Sequence, residues 1–100
     1  MGNKLFIYGT LIKPEIQKSV FGKAVKGTPD TLHGYKRSKI EIDDEIYPLI
    51  IPDKNGKIPG LVIEISDDEL RGIDEYETEA YQRINVILGS GISAWVYVEK

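Results

Sequence analysis

The sequence predicts an α+β domain: a small mixed sheet, curled towards a β-barrel, with two short flanking helices laid against it. Three observations carry this. Apolar runs of strand length outnumber helical stripes, the helical stripes are short and have recognisable start and stop residues, and Gly, Asn and Asp fall between the runs at turn positions. A chain of 100 residues is expected to be one domain over 1–100, and its 41% hydrophobic fraction is enough for one core of modest size.

The elements follow in order. Residues 4–8 form a nearly continuous apolar run, as a buried strand does, and it ends at Gly9 and Thr10. Pro14 suits a first helical position, Ile16 and Val20 make one apolar stripe, and Gly22 stops a helix of about two turns. Residues 31–42 read as a strand bent at Gly34, and Asp43, Asp44 and Glu45 as a polar turn. A short strand over 47–51 contains Pro48, which points to an edge or a strand start. Asp53, Lys54, Asn55 and Gly56 predict a turn, followed by a strand over 60–65 with Leu61, Ile63 and Ile65 on one face. Ser66 and Glu69 form a capping box that starts the second helix. Residues 81–88 and 92–98 then read as a hairpin around Gly89, Ser90 and Gly91.

Composition narrows the function. The net charge of −3 and pI near 5.1 give no long-range attraction for nucleic acid or an anionic membrane. No apolar stretch approaches the roughly 20 residues that span a bilayer. The N-terminal residues lack the pattern of a signal peptide, so a soluble, cytoplasmic protein is expected. Without cysteine there is no disulfide, thiolate metal site or cysteine nucleophile. Asp43, Asp44 and Glu45 lack the glycine and spacing of a calcium loop, and no dinucleotide or phosphate-binding motif is present. His33, the only histidine, has no Gly-x-Ser-x-Gly elbow to serve. No metal or cofactor is expected.

Glu77 is the residue out of place. Leu70 and Ile73 mark the inward stripe of the second helix, and its next position is Glu77, beside Tyr76 and Tyr81. Burial raises a carboxylate's pKa, towards about 6–7 in tuned cases, which suits a general base at neutral pH. The alternative is a helix ending at Glu75, with Glu77 on a solvated turn or paired with Arg83. Tyr8, Gly9, Thr10 and Leu11, between a buried strand and a helix, form the kind of turn whose backbone N–H groups make an anion-binding concavity. Gly9 on its own could equally be a plain turn residue.

These two segments resemble motifs of the gamma-glutamyl cyclotransferase-like superfamily. Phe6, Ile7, Tyr8, Gly9, Thr10 and Leu11 resemble its opening motif. Ile73 to Glu77, then Tyr81, Gln82 and Arg83, resemble its second. Leu32 to Tyr35, Tyr47 with Pro48, Gly60 to Val62, and Ala94 to Val98 fall in the family's order. Pro14 to Ile16 running to Phe21 and Gly22 is similar to the branch named after plant avirulence-induced genes. The resemblance covers nearly the whole chain. It implies a β-barrel with one cavity, Glu77 as catalytic acid/base, and a γ-glutamyl group held by the N–H groups of residues 8–11. The implied reaction is intramolecular: the substrate's α-amine attacks its γ-carbonyl, 5-oxoproline forms and an amine or amino acid leaves. Tyr8 is expected to line the cavity with Tyr81, and Arg83 either to pair with a carboxylate there or to brace its strand. The partner so implied is a small-molecule γ-glutamyl substrate. Thr78 stands where the family often has glycine, which keeps a second expectation open: a non-catalytic module that binds a small ligand or a partner protein. The oligomeric state stays open.

Overall fold

In the computed structural model, residues 2–77 and 81–99 are described, with all side chains among them except Thr10, Phe21, Ile40, Ile42, Tyr47, Pro48, Tyr76, Glu77 and Glu99. The strands are β1 (Asn3–Ile7), β2 (Thr28–Ile42), β3 (Glu45–Ile65), β4 (Tyr81–Ile87) and β5 (Ser93–Glu99), and the helices are α1 (Pro14–Phe21) and α2 (Asp67–Glu77). One sheet results, in the order β2-β3-β1-β5-β4. It is antiparallel except between β1 and β5, where Leu5 pairs in parallel with Trp95.

β1 lies at the centre of the sheet, and its Leu5, Phe6 and Ile7 are at most 3% exposed. Leu5 and Ile7 pack with Ile63, Ile65, Leu70 and Ile73 under the helices. Phe6 packs on the other face with Leu32, Ile58, Val62 and Val96, against which Val86 also rests. These side chains come from all five strands, and strands at opposite edges can meet only if the sheet curls around them. A strand covered on both faces needs apolar residues at every position, which explains the unbroken run in the sequence.

The curl is closed at one end by hydrogen bonds. In the β4–β5 turn, Gly89 N–H donates to the Thr31 carbonyl of β2 at 2.8 Å. Beside it the Ser90 hydroxyl donates to the Asp30 carboxylate at 2.5 Å. The Ser90 hydroxyl holds the Asp30 carboxyl below its ordinary range, aided by N–H donors from Thr31 and Ser90.

Both helices begin, and α1 ends, where their residues indicate. Pro14 opens α1, and Gly22 closes it at φ 79°, donating its N–H to the Lys18 carbonyl at 2.9 Å. α2 has the predicted capping box: Ser66 N–H to Glu69 Oε1 at 2.8 Å, and Glu69 N–H to Ser66 Oγ at 3.1 Å. Leu70 and Ile73 are buried, each contributing about 1.5–3 kcal/mol by leaving water. α2 continues past Glu75 to Glu77.

The middle of the chain departs from expectation. The strands expected over 47–51 and 60–65 are one element, β3, and the turn expected at residues 53–56 lies inside it. Register runs from His33 against Lys57 to Tyr35 against Pro52, so residues 53–56 all face Gly34 across a large bulge. Asn55 N–H donates to the Asp53 carboxylate at 3.0 Å, so the local turn chemistry is real. It bends the strand instead of reversing it, because β2 supplies a continuous partner on both sides. β2 also begins three residues earlier than expected, at Thr28. Among the described residues the strand partner of β3 over 46–58 is β2, which suits Pro48 and Pro52, since the side of β3 away from β2 needs no ladder N–H there.

Gly60 is needed for close approach: a Cβ there would lie 2.4 Å from the Ile7 carbonyl oxygen and 2.6 Å from the Phe6 ring. Gly60→Ala is therefore expected to cost about 1–3 kcal/mol in urea unfolding, as overpacking does. The Ser66 backbone N–H, with Lys23 at 3.3 Å, holds the Glu69 carboxyl below its ordinary value of 4.5. A depressed carboxylate pKa adds stability that is complete above the unfolded-state value and fades as pH falls through the folded one. The stability difference between wild type and Glu69→Gln should accordingly be constant near neutrality and shrink below about pH 4.5. A difference unchanged down to pH 2 would rule that contribution out.

Candidate functional site

The loop after β1 is held from three directions. The Tyr8 hydroxyl donates to the Tyr97 carbonyl of β5 at 2.6 Å. The Arg37 guanidinium of β2 donates to the Tyr8 carbonyl at 3.0 Å. Buried Gln17 of α1 donates to the Leu11 carbonyl at 2.7 Å and accepts the Val25 N–H at 2.7 Å. Thr10–Ile12 form a 3-10 turn whose first bond runs from Ile12 N–H to the Gly9 carbonyl at 3.1 Å. The N–H groups of Gly9, Thr10 and Leu11 precede that bond and have no acceptor within the turn.

The end of α2 is tied to the start of β4. Asp74 accepts two bonds from Arg83, at 3.0 and 3.1 Å, in the fork geometry that suits guanidinium and carboxylate. The Tyr97 hydroxyl donates to the same carboxylate at 2.5 Å. The Arg83 guanidinium also lies over the Trp95 ring, 4.4 Å from its centroid. The Asp74–Arg83 pair thus clamps both ends of residues 75–82, the segment containing Glu77.

Tyr97 connects the two regions, since its carbonyl accepts from Tyr8 and its hydroxyl donates to Asp74. Strand register puts them at one rim of the sheet. β1 and β5 run in parallel with Leu5 beside Trp95, and Gln82 of β4 pairs with Val98. The ends of β1 and β5, the start of β4 and the end of α2 therefore share that rim. Here the curl gapes. Further along the strands from the Gly89–Thr31 bond, a half-open cleft of about 230 Å³ separates the β2–β3 pair from β4 and β5. Tyr35, Ile50, Ile51 and Pro52 line one wall, and Gln82, Ile84 and Val98 the other.

Of the residues singled out in the sequence, Tyr8 and Leu11 are buried, with Gly9 beside them. Tyr81 is half-buried against the cluster beneath the helices. Arg83 pairs with the Asp74 carboxylate and braces β4 against α2. Thr10 lies in the turn by its backbone. Glu77 is the last residue of α2 and follows the Leu70–Ile73 stripe in helical register; its side chain, and all of Thr78, lie outside what is described. Among the described residues, no group of three His, Asp or Glu is arranged to hold a metal, and no helix is long and apolar enough to cross a membrane. Arg37, Asp74 and Tyr97 escaped the sequence reading as tethers. Their partners lie 29, 9 and 23 positions away, and no local pattern announces such pairs.

Comparison with known proteins matches residues 5–100 to the family described as gamma-glutamyl cyclotransferase, AIG2-like. AIG2-like protein C of Arabidopsis thaliana is 36% identical over 83 residues, covering 82% of this chain and 47% of that protein. AIG2-like protein D of the same plant is 34% identical over 85 residues, covering 84% and 55%. The chain thus spans about half the length of the curated relatives it matches. A solution structure of an Arabidopsis thaliana protein superposes with TM-score 0.82 at 28% identity, covering 99% of this chain and 62% of that one. A structure of gamma-glutamyl cyclotransferase superposes with TM-score 0.81, covering 100% and 68%; at 16% identity this likeness is one of fold.

Because Asp74 and Arg83 are only partly shielded, Asp74→Asn is expected to cost about 1–2 kcal/mol in urea unfolding. A double-mutant cycle with Tyr97→Phe should return a coupling of about 1 kcal/mol. Additive losses would mean that the Tyr97 bond does not tether the helix.

Proposed function

We propose, from the premise that this chain belongs to the gamma-glutamyl cyclotransferase, AIG2-like family, that it cyclises a γ-glutamyl amide to 5-oxoproline and releases an amine or amino acid, with Glu77 as acid/base. One observation supports this above the rest. The Tyr8–Leu11 turn and the end of α2, the two segments such a reaction needs, are both tethered to Tyr97 at the rim of an open cleft.

The chemistry asks little of the protein beyond position and one proton carrier. The substrate's α-ammonium gives a proton to the Glu77 carboxylate, and the freed amine attacks the γ-carbonyl carbon. A C–N bond forms within the substrate and the carbonyl oxygen gains negative charge. Collapse of that intermediate breaks the bond to the departing amine, which takes that proton from Glu77; the ring nitrogen then gives up its second proton, by way of the same carboxylate, so that 5-oxoproline is neutral and the amine leaves as its ammonium ion. No water is consumed and no metal is required. Folding the substrate so that amine and carbonyl meet converts the attack into a proximity effect, worth effective molarities of about 10⁵–10⁸ M in well-oriented cases. The N–H groups of Gly9, Thr10 and Leu11 suit a substrate carboxylate or the developing oxyanion. Arg37 and Gln17 keep those donors fixed, so they need not reorganise during the reaction.

The test is 5-oxoproline release from a panel of γ-glutamyl amines and γ-glutamyl dipeptides. Turnover is expected, with Glu77→Gln lowering kcat about 10²–10⁴-fold while the circular dichroism and melting curve stay unchanged. Absence of turnover across the panel in a folded protein would reject the cyclotransferase reading in favour of a non-catalytic binding module. Full activity in Glu77→Gln would reject its role as proton carrier.

A further inference from the structure

The turn after β1 has a cation where its own backbone would ordinarily close. In a 3-10 turn each N–H donates to the carbonyl three residues back, as Ile12 does to Gly9 at 3.1 Å. One step earlier, that pattern would send the Leu11 N–H to the Tyr8 carbonyl. Among the described residues that bond is not made, and the Tyr8 carbonyl accepts from the Arg37 guanidinium at 3.0 Å. The N–H groups of Gly9 and Leu11 have no acceptor among the described residues, although Gly9 is half-buried and Leu11 is 4% exposed. Shielded donors without a protein acceptor are rare, and they need a partner from outside the chain.

The bulge in β2 aims that guanidinium. Leu32 pairs with Ile58 and lies in the cluster inside the curl, so strict alternation from Leu32 would turn Arg37 outward. The register shifts between His33 and Tyr35, where Gly34 stands at φ 87°. Beyond the shift, Tyr35 packs against the same cluster, and Arg37 pairs with Ile50, which belongs to it. Arg37 therefore leaves β2 on the inner side, where the Tyr8 side chain is also buried. Its charge is not neutralised by an ion pair. Arg71 and Arg83 pair with the carboxylates of Asp68 and Asp74, whereas among the described residues no carboxylate pairs with Arg37.

We infer that Arg37 is a positioning residue for the reaction: it holds the Tyr8 carbonyl away from the turn and polarises the Tyr8–Gly9 peptide, so that the N–H groups of Gly9 and Leu11 stay open to the negative charge that develops on the substrate's γ-carbonyl oxygen. This assignment rests on the cyclotransferase reading and adds to it which of the substrate's anions the loop serves. The physical basis is one planar unit. The Tyr8 carbonyl and the Gly9 N–H belong to the same trans peptide and point in opposite directions. A cation bonded at the oxygen draws electrons through the C–N bond and makes the N–H a stronger donor, as successive hydrogen bonds in a chain reinforce each other. Arg37 is exposed, so water screens its charge at a distance and the effect depends on this direct bond. A strengthened donor acts most where the charge is largest, in the transition state, and so on kcat more than on KM.

The experiment measures kcat and KM for 5-oxoproline release, on the best γ-glutamyl substrate of the panel, in wild type, Arg37→Lys and Arg37→Gln, with melting temperatures alongside. The ¹H–¹⁵N amide signals of Gly9 and Leu11 are followed in the same proteins during titration with acetate. Arg37→Gln is expected to lower kcat about tenfold, part of the roughly 10²–10³ that outright loss of an oxyanion donor costs, while KM stays nearly constant. Arg37→Lys keeps a cation and a donor and should recover most of that loss. Acetate should shift both amides in wild type and bind severalfold more weakly to Arg37→Gln. Arg37→Met serves as the neutral variant if Arg37→Gln does not fold. Wild-type kcat in the neutral variant, or Arg37→Lys no better than it, would overturn the assignment while leaving the cyclotransferase reading intact. A rise in KM at unchanged kcat would do the same, since that is the mark of a lost ground-state contact. A kcat that merely follows the melting temperature would reduce Arg37 to a brace and also overturn it. With no turnover in any protein the cyclotransferase reading fails, and the titration judges Arg37 alone. A response to acetate at Gly9 and Leu11 that weakens in the neutral variant and returns in Arg37→Lys would support its control of an anion site. Amides that ignore acetate, or answer it equally in all three proteins, would overturn it.

Discussion

A five-stranded sheet with apolar side chains on both faces must cover both faces, and a chain of 100 residues has little with which to do it. Two short helices cover one side through Ile16, Val20, Leu70 and Ile73. Among the described residues no helix covers the other, and the sheet curls so that its own strands do, bringing Leu32 of β2 into one cluster with Leu88 beyond β4. The remaining architecture depends on this. The Gly89–Thr31 bond can form because the curl brings the edges together, and the cleft exists because the edges then diverge.

Polar groups stabilise this arrangement by joining elements that apolar packing alone would leave free to slide. Tyr97 is the clearest case. Its side chain belongs to the cluster under the helices, yet its hydroxyl reaches Asp74 and its carbonyl reaches Tyr8. Gln17 does the same for the loop, α1 and the segment after it, and both polar ends of its amide are satisfied while only 2% of the residue is exposed. Unpaired, such a buried amide would cost on the order of 1–3 kcal/mol, so its presence is consistent only with the loop held as it is. The rigidity of residues 8–11 and the placement of α2 are therefore coupled properties of one network.

Much of this was legible in the sequence, because the relevant forces act locally. The run at Leu5, Phe6 and Ile7 reads as a doubly buried strand, Pro14 and Gly22 bracket α1, and Ser66 with Glu69 starts α2 at the residue where it begins. The segment at Asp53, Asn55 and Gly56 misled for an equally physical reason. Turn-forming residues indicate that the backbone bends, but a reversal and a bulge use the same residues, and the choice between them lies with the partner strand. The candidate site was legible in part. Gly9 and the stripe leading to Glu77 mark themselves by pattern, whereas Asp74 looks like one more acidic residue on a helix until Arg83 and Tyr97 are seen to converge on it.

What the sequence determined by itself is the strands outside the middle of the chain, both helix starts, the end of α1 and the two segments that resemble a known family, because caps, periodicity and glycine positions act over a few residues. Tertiary structure alone decided that β3 is one long bent strand, that Arg37, Gln17 and Tyr97 hold the loop at residues 8–11, and that the curl leaves a half-open cleft between the β2–β3 pair and β4 and β5. Each of these depends on contacts between residues far apart in the chain, where the energy gained is set by which surfaces meet and not by any residue's own preference.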